Sequence, residues 1–208
     1  MELAFGSANT IYVTTEFEQG FSAGTASGYP RQTLSVIKSV DGGTTWQTMR
    51  GKALQTPIVQ NSLDDDIAFP SNNQLNNGVY TRLAVGADGQ PILVACWLHP
   101  SDATRSLWVA KWDTTTQKWI RRRMFQPIGG FDVGNPHVAY FNGKVVVSIS
   151  TTDDHTPGSS SSGGGGERVP GNNNILLFVT TDNASTWRRY DINHVAAGYG
   201  GAYIDGES

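Results

Sequence analysis

Eight residues, Ser39-Val40-Asp41-Gly42-Gly43-Thr44-Thr45-Trp46, return in altered form as Thr180-Thr181-Asp182-Asn183-Ala184-Ser185-Thr186-Trp187. The chemistry of the segment is that of a tight hairpin. Ser, Thr and Asp side chains hydrogen-bond nearby backbone groups, Gly supplies positive φ, and the Trp packs the turn down. The second copy places Ala184 where the first has Gly43. Each copy ends an apolar run, so the chain is read as a repeated β unit, with the motif marking turns rather than a reaction centre.

The rest of the chain fits that repeat. Strand-like runs alternate with turns, and no segment of useful length shows a helical period. Three runs, Leu3-Ala4-Phe5-Gly6, Leu83-Ala84-Val85-Gly86 and Val138-Ala139-Tyr140-Phe141, each precede a polar turn and a second apolar strand at Ile11, Ile92 or Val145. Third strands are predicted at Thr33 to Lys38, Ser106 to Trp112 and Ile175 to Thr180, and each unit closes on a tryptophan: Trp46, Trp119 or Trp187. Room for a fourth strand follows each tryptophan. The middle hairpin, Asp113 to Trp119, lacks the motif's spacing and glycine and reads as an eroded copy. Insertions fall at Glu16 to Arg31, Leu54 to Tyr80 and Thr151 to Asn174, and Gly158 to Gly166 reads as a flexible loop.

Ser-x-Asp-x-Gly-x-x-Trp resembles the Asp-box, or bacterial neuraminidase repeat, of sialidases and related β-propellers. The resemblance implies an all-β propeller of four-stranded antiparallel blades. The units are expected at roughly 1–60, 78–126 and 134–193, and the echo of Ala139-Tyr140-Phe141-Asn142-Gly143 in Ala202-Tyr203-Ile204-Asp205-Gly206 suggests a further unit starting at 199–208. Three blades and a fraction leave sheet edges exposed. The expectation is therefore a fragment of a longer propeller, or a protomer that completes its ring as a homo-oligomer. Within the family the function implied is glycoside hydrolysis or polysaccharide elimination, with a glycan as partner and a secreted setting. The alternative is a non-catalytic glycan-binding, adhesion, scaffold or virion-surface module. No cofactor is implied.

Composition narrows the partners. A net charge of −3 gives no electrostatic case for nucleic acid. Arg121-Arg122-Arg123 reads as a solvated strand. One cysteine, Cys96, excludes an intrachain disulfide framework and sits in an apolar run as a buried thiol. No apolar segment reaches the length of a membrane span, and no signal peptide begins the sequence. Asp64-Asp65-Asp66 and Asp153-Asp154-His155 lack calcium-loop or zinc spacing, so no metal site is expected.

In a propeller, the segments leading into the innermost strands share an end with the loops between second and third strands, away from the Asp-box hairpins. Candidate chemistry therefore falls at Glu16 to Arg31, Pro70 to Arg82, Leu98 to Arg105, Gln126 to His137, Thr151 to Asn174 and His194 to Tyr199. By the resemblance, Arg82, Arg31 and Arg105 would bind a substrate carboxylate, Asp102 would supply an acid, and Tyr80 a nucleophile. The family's Tyr-Arg-Ile-Pro sequence is not reproduced, since Thr81 separates Tyr80 from Arg82 and Leu83 precedes Ala84. A lyase-like arrangement would instead pair His137 or Tyr80, as base, with Arg82. The bland reading makes His137 a half-buried strand residue and Asp102 a turn aspartate. Trp97, at a strand end near the same face, is the sugar-stacking candidate, whereas Trp108 and Trp112 share a strand face that suits the core.

Overall fold

The computed structural model describes residues 2–18, 31–58, 63, 66–70, 78–99, 106–126, 136–152 and 173–195. Among these there is no helix, and the strands form three antiparallel sheets. The first contains β1 (Leu3–Phe5), β2 (Ile11–Glu18), β3 (Arg31–Ser39), β4 (Trp46–Gln47), β5 (Ala53–Leu54) and β6 (Ile67–Phe69). The second runs β7 (Gly78–Val85), β8 (Pro91–Trp97), β9 (Ser106–Asp113) and β10 (Lys118–Phe125). The third runs β11 (His137–Phe141), β12 (Lys144–Thr152), β13 (Asn173–Thr180) and β14 (Arg188–Val195). They are consecutive blades of a β-propeller, each entered by its innermost strand, as the repeat predicts.

Burial follows the two-residue period of a strand. On β8 every residue is buried because that strand has a blade on each side. Leu93, Ala95 and Trp97 join Leu34, Val36 and Phe69 of the first blade, while Ile92, Val94 and Cys96 join Val147, Leu176 and Phe178 of the third. Cys96 is a fully buried packing residue.

The first blade departs from expectation at its outer edge. The fourth-strand position is split: Gln47 of β4 pairs with Lys38, whereas Ile67 and Phe69 of β6 pair with Ser35 and Leu34 at the other end of β3. The sheet thus reaches Phe69, past the unit end expected near residue 60. Asp66 holds the returning chain in place. Its backbone carbonyl accepts the Ser35 hydroxyl, and its buried carboxylate accepts Arg50 N–H at 2.8 Å and lies 3.0 Å from Arg50 Nε. Asp66 is therefore a structural ion-pair partner. Asp64, Asp65 and Asp153 to His155 lie outside the described residues, as does the unit expected from 199.

Both copies of the repeated motif close the same network. Asp41 accepts Ser39 Oγ at 2.7 Å, Thr45 N–H at 2.9 Å and Thr45 Oγ1 at 2.7 Å, while Gly43 N–H donates to Ser39 Oγ at 2.8 Å. Asp182 accepts Thr180 Oγ1 at 2.6 Å, Thr186 N–H at 2.8 Å and Thr186 Oγ1 at 2.5 Å. Gly43 has φ of 95°, and Ala184 holds the left-handed region at 69°. The Ala184 methyl is buried among the apolar residues between the second and third blades, which compensates for that conformation. The middle hairpin keeps the aspartate by another route: Asp113 accepts Thr115 N–H and Thr116 Oγ1, and Trp119 packs edge-on to Trp112.

The three consecutive arginines of β10 are not a free basic stripe. Arg121 donates to the Ala68 and Ile67 carbonyls of the first blade, Arg122 to the Ser185 carbonyl of the third, and Arg123 lies 4.9 Å from the Trp108 ring centroid. Alternation along the strand sends neighbouring arginines to opposite seams.

Candidate functional site

The innermost strands β1, β7 and β11 lie side by side. Glu2, Arg82 and His137 occupy equivalent places, each immediately before the aligned runs starting at Leu3, Leu83 and Val138. Pairing confirms the equivalence: Leu3, Leu83 and Val138 face Val13, Leu93 and Val147 of the neighbouring second strands. The repeat thus delivers a carboxylate, a guanidinium and an imidazole to one end of the axis.

Arg82 is partly exposed, at 27%, and Glu2 at 34%. Arg82 Nη1 donates to the Thr81 carbonyl at 2.8 Å and lies 3.1 Å from Glu2 Oε1. Glu2 is fixed through its backbone, with its N–H donating to Thr14 Oγ1 at 2.7 Å and its carbonyl accepting Thr14 N–H at 2.9 Å. Next to Arg82, the Thr81 hydroxyl donates to Glu16 of β2, crossing the same end between the first and second blades.

His137 is held below the usual imidazole range, first by burial and then by the positive charge of Arg82. Both effects oppose the imidazolium. A neutral imidazole retains a nitrogen lone pair at neutral pH, as a proton acceptor requires.

The other candidates divide. Tyr80 lies at the bulge where β7 shifts its pairing with β8 between Val79 and Thr81, and Arg31 begins β3 opposite Glu18. Asp102 and Arg105 lie outside the described residues, as do most residues of the nominated loops. Trp97 is only 3% exposed: it packs on Phe69 and Trp108, and its indole N–H donates to the Pro70 carbonyl at 3.3 Å. As placed, Trp97 forms the wall between blades instead of offering a stacking face. Beside it His99 stacks on Trp108 with ring centroids 5.3 Å apart.

Glu2 is not among the residues nominated from sequence, and Glu16 enters only as the first residue of a nominated segment, with no role given to it. For Glu2 the signal was present, because the same repeat alignment that ranks Arg82 and His137 places it in register with them. For Glu16 the signal went no further than that segment.

The opposite end has clefts but a different character. One of about 220 Å³ between the second and third blades is lined by Asp88, Lys111, Asp113, Arg122 and Asn183. Its charges are committed to structure: Lys111 Nζ lies 2.6 Å from Asp88, Arg122 binds Ser185, and Asp113 closes its own turn. Among the described residues no cluster of His, Cys, Asp and Glu is suited to a metal ion, and no helix is long and apolar enough to cross a membrane.

No known family profile and no curated protein matches the chain. Solved structures similar to it include a polysaccharide lyase of family PL25, an ulvan lyase, at TM-score 0.49 and 11% identity, covering 94% of this chain and 51% of that one. Another is the GH93 α-L-arabinofuranosidase of Fusarium graminearum, at TM-score 0.46 and 16% identity, covering 95% and 49%. The chain spans about half the length of each.

Proposed function

We propose that this chain contributes the axial site of a carbohydrate-active propeller that acts on an acidic glycan, with Arg82 receiving a uronate carboxylate and His137 serving as base. The observation that supports this is the placement of Arg82 and His137 at equivalent positions of adjacent innermost strands, with the imidazole held neutral. Arginine matches a carboxylate with parallel N–H donors, and neutralising that carboxylate acidifies the adjacent C–H. In the elimination so enabled, His137 takes the proton at C5, the C4–O bond breaks, a C4=C5 double bond forms, and the departing oxygen takes a proton from water, His137 returning its own to solvent. The sialidase-like variant, in which Tyr80 and Asp102 perform hydrolysis, calls on side chains that lie outside those described.

The test is product analysis of uronate-containing polysaccharides treated with the protein. Release of unsaturated uronide that disappears in Arg82→Ala and in His137→Ala supports elimination. Saturated reducing ends point to hydrolysis. A second reading, a binding module without turnover, is favoured by one observation: Arg82 is the sole arginine on β1, β7 and β11. Retention of acidic glycans without any cleavage would establish it.

A further inference from the structure

Resting on the acidic-glycan reading of Arg82, we infer that Glu2 is a built-in competitor for the substrate carboxylate. Its own carboxylate already lies 3.1 Å from Arg82 Nη1, in the position of a ligand anion. The side chain is suited to leave. Its ion pair is partly solvated, a setting in which such pairs contribute little. Its backbone, by contrast, is pinned to Thr14 on both sides of the residue, so displacement requires only side-chain rotation about a fixed point. Arg82 stays where it is when Glu2 swings away, because Nη1 remains bonded to the Thr81 carbonyl and Thr81 to Glu16.

The consequence is selectivity. With Glu2 in place the two charges cancel, and the site offers little long-range attraction to anions. A neutral sugar gains nothing from displacing Glu2, whereas a carboxylated sugar replaces one carboxylate with another and adds its own contacts. The ligand class is therefore a uronate-bearing glycan, and Glu2 sets how strongly such a ligand must bind.

Equilibrium titration with a glucuronate-containing tetrasaccharide, alongside its carboxyl-reduced neutral analogue, tests this on the full chain. Glu2→Gln and Glu2→Ala should each bind the acidic probe roughly threefold to tenfold more tightly than the natural protein, with binding of the neutral probe unchanged, as expected for removing one nearby like charge. Arg82→Ala should lose the preference for the acidic probe. Unchanged or weaker binding by both Glu2 variants, with Arg82→Ala still defective, overturns the competitor role and leaves the acidic-glycan reading standing. A gain in Glu2→Gln alone also overturns it, since an amide hydrogen bond to the probe would then explain the effect. Full acidic preference in Arg82→Ala, or no binding by any form, overturns both.

Discussion

Asp41 shows how much a fully exposed carboxylate can do for a turn. Its pKa is pushed down to about 2, chiefly by the Thr45 N–H and then by the Thr45 and Ser39 hydroxyls. A folded value below the ordinary 3.8 means that the stabilisation is complete above that pH and fades as pH falls through about 2. Asp41→Asn should therefore unfold at lower temperature than the natural protein at pH 7, with the gap closing towards pH 2 in thermal melts. Gly43→Ala should cost about 1 kcal/mol in denaturant titrations, because φ of 95° is unfavourable for a residue with Cβ. At His137 the pH dependence has the same sign but the opposite cause, since here the fold disfavours the charged form. Protonation favours the unfolded chain, so this residue's contribution to stability falls as pH drops from 6.5 through its depressed value. Arg82→Ala should raise the His137 pKa only part of the way to 6.5 in an NMR titration, since burial is the larger cause. Motif residues such as Asp41 were legible in sequence because their partners lie within a few positions. The tie from Thr81 to Glu16 was not, because it joins residues on two blades and nothing local marks either partner.

At the scale of strands and turns, the seams depend on backbone groups that no motif advertises. A Cβ on Gly86 would lie 2.6 Å from Asn183 Oδ1 and 3.1 Å from Ile92 Cδ1, so Gly86→Ala must displace these side-chain ends at the seam between the second and third blades. The expected loss is about 1–3 kcal/mol in chemical denaturation. The reading of Arg121-Arg122-Arg123 as a solvated strand agrees with their exposure, but their cross-blade partners were not legible, because periodicity gives the side on which each side chain emerges but not what waits there. Strand order, inner hairpins and closing tryptophans were readable, since each blade repeats them. The split outer strand of the first blade was not: Ile67 to Phe69 is too short to stand out, and its place beside β3 depends on Asp66 meeting Ser35 and Arg50.

For the molecule as a whole, the middle blade is the keystone, with one side of β8 in each seam. Leu93→Ala and Ile92→Ala should each destabilise by about 2–5 kcal/mol, one loosening the seam to the first blade and the other the seam to the third. Hydrogen exchange of the variants distinguishes them: faster exchange in β2 and β3 for Leu93→Ala, and in β12 and β13 for Ile92→Ala. The placement of Glu2, Arg82 and His137 at one end of the blades and turn networks at the other gives the molecule a practical polarity. Val40 is 52% exposed at the hairpin end, and the chain's one native thiol, Cys96, is fully buried. A cysteine introduced at Val40 is thus a handle for a dye, a bead or a sensor chip, holding the molecule by its blunt end with Glu2, Arg82 and His137 turned towards whatever candidate ligand flows past.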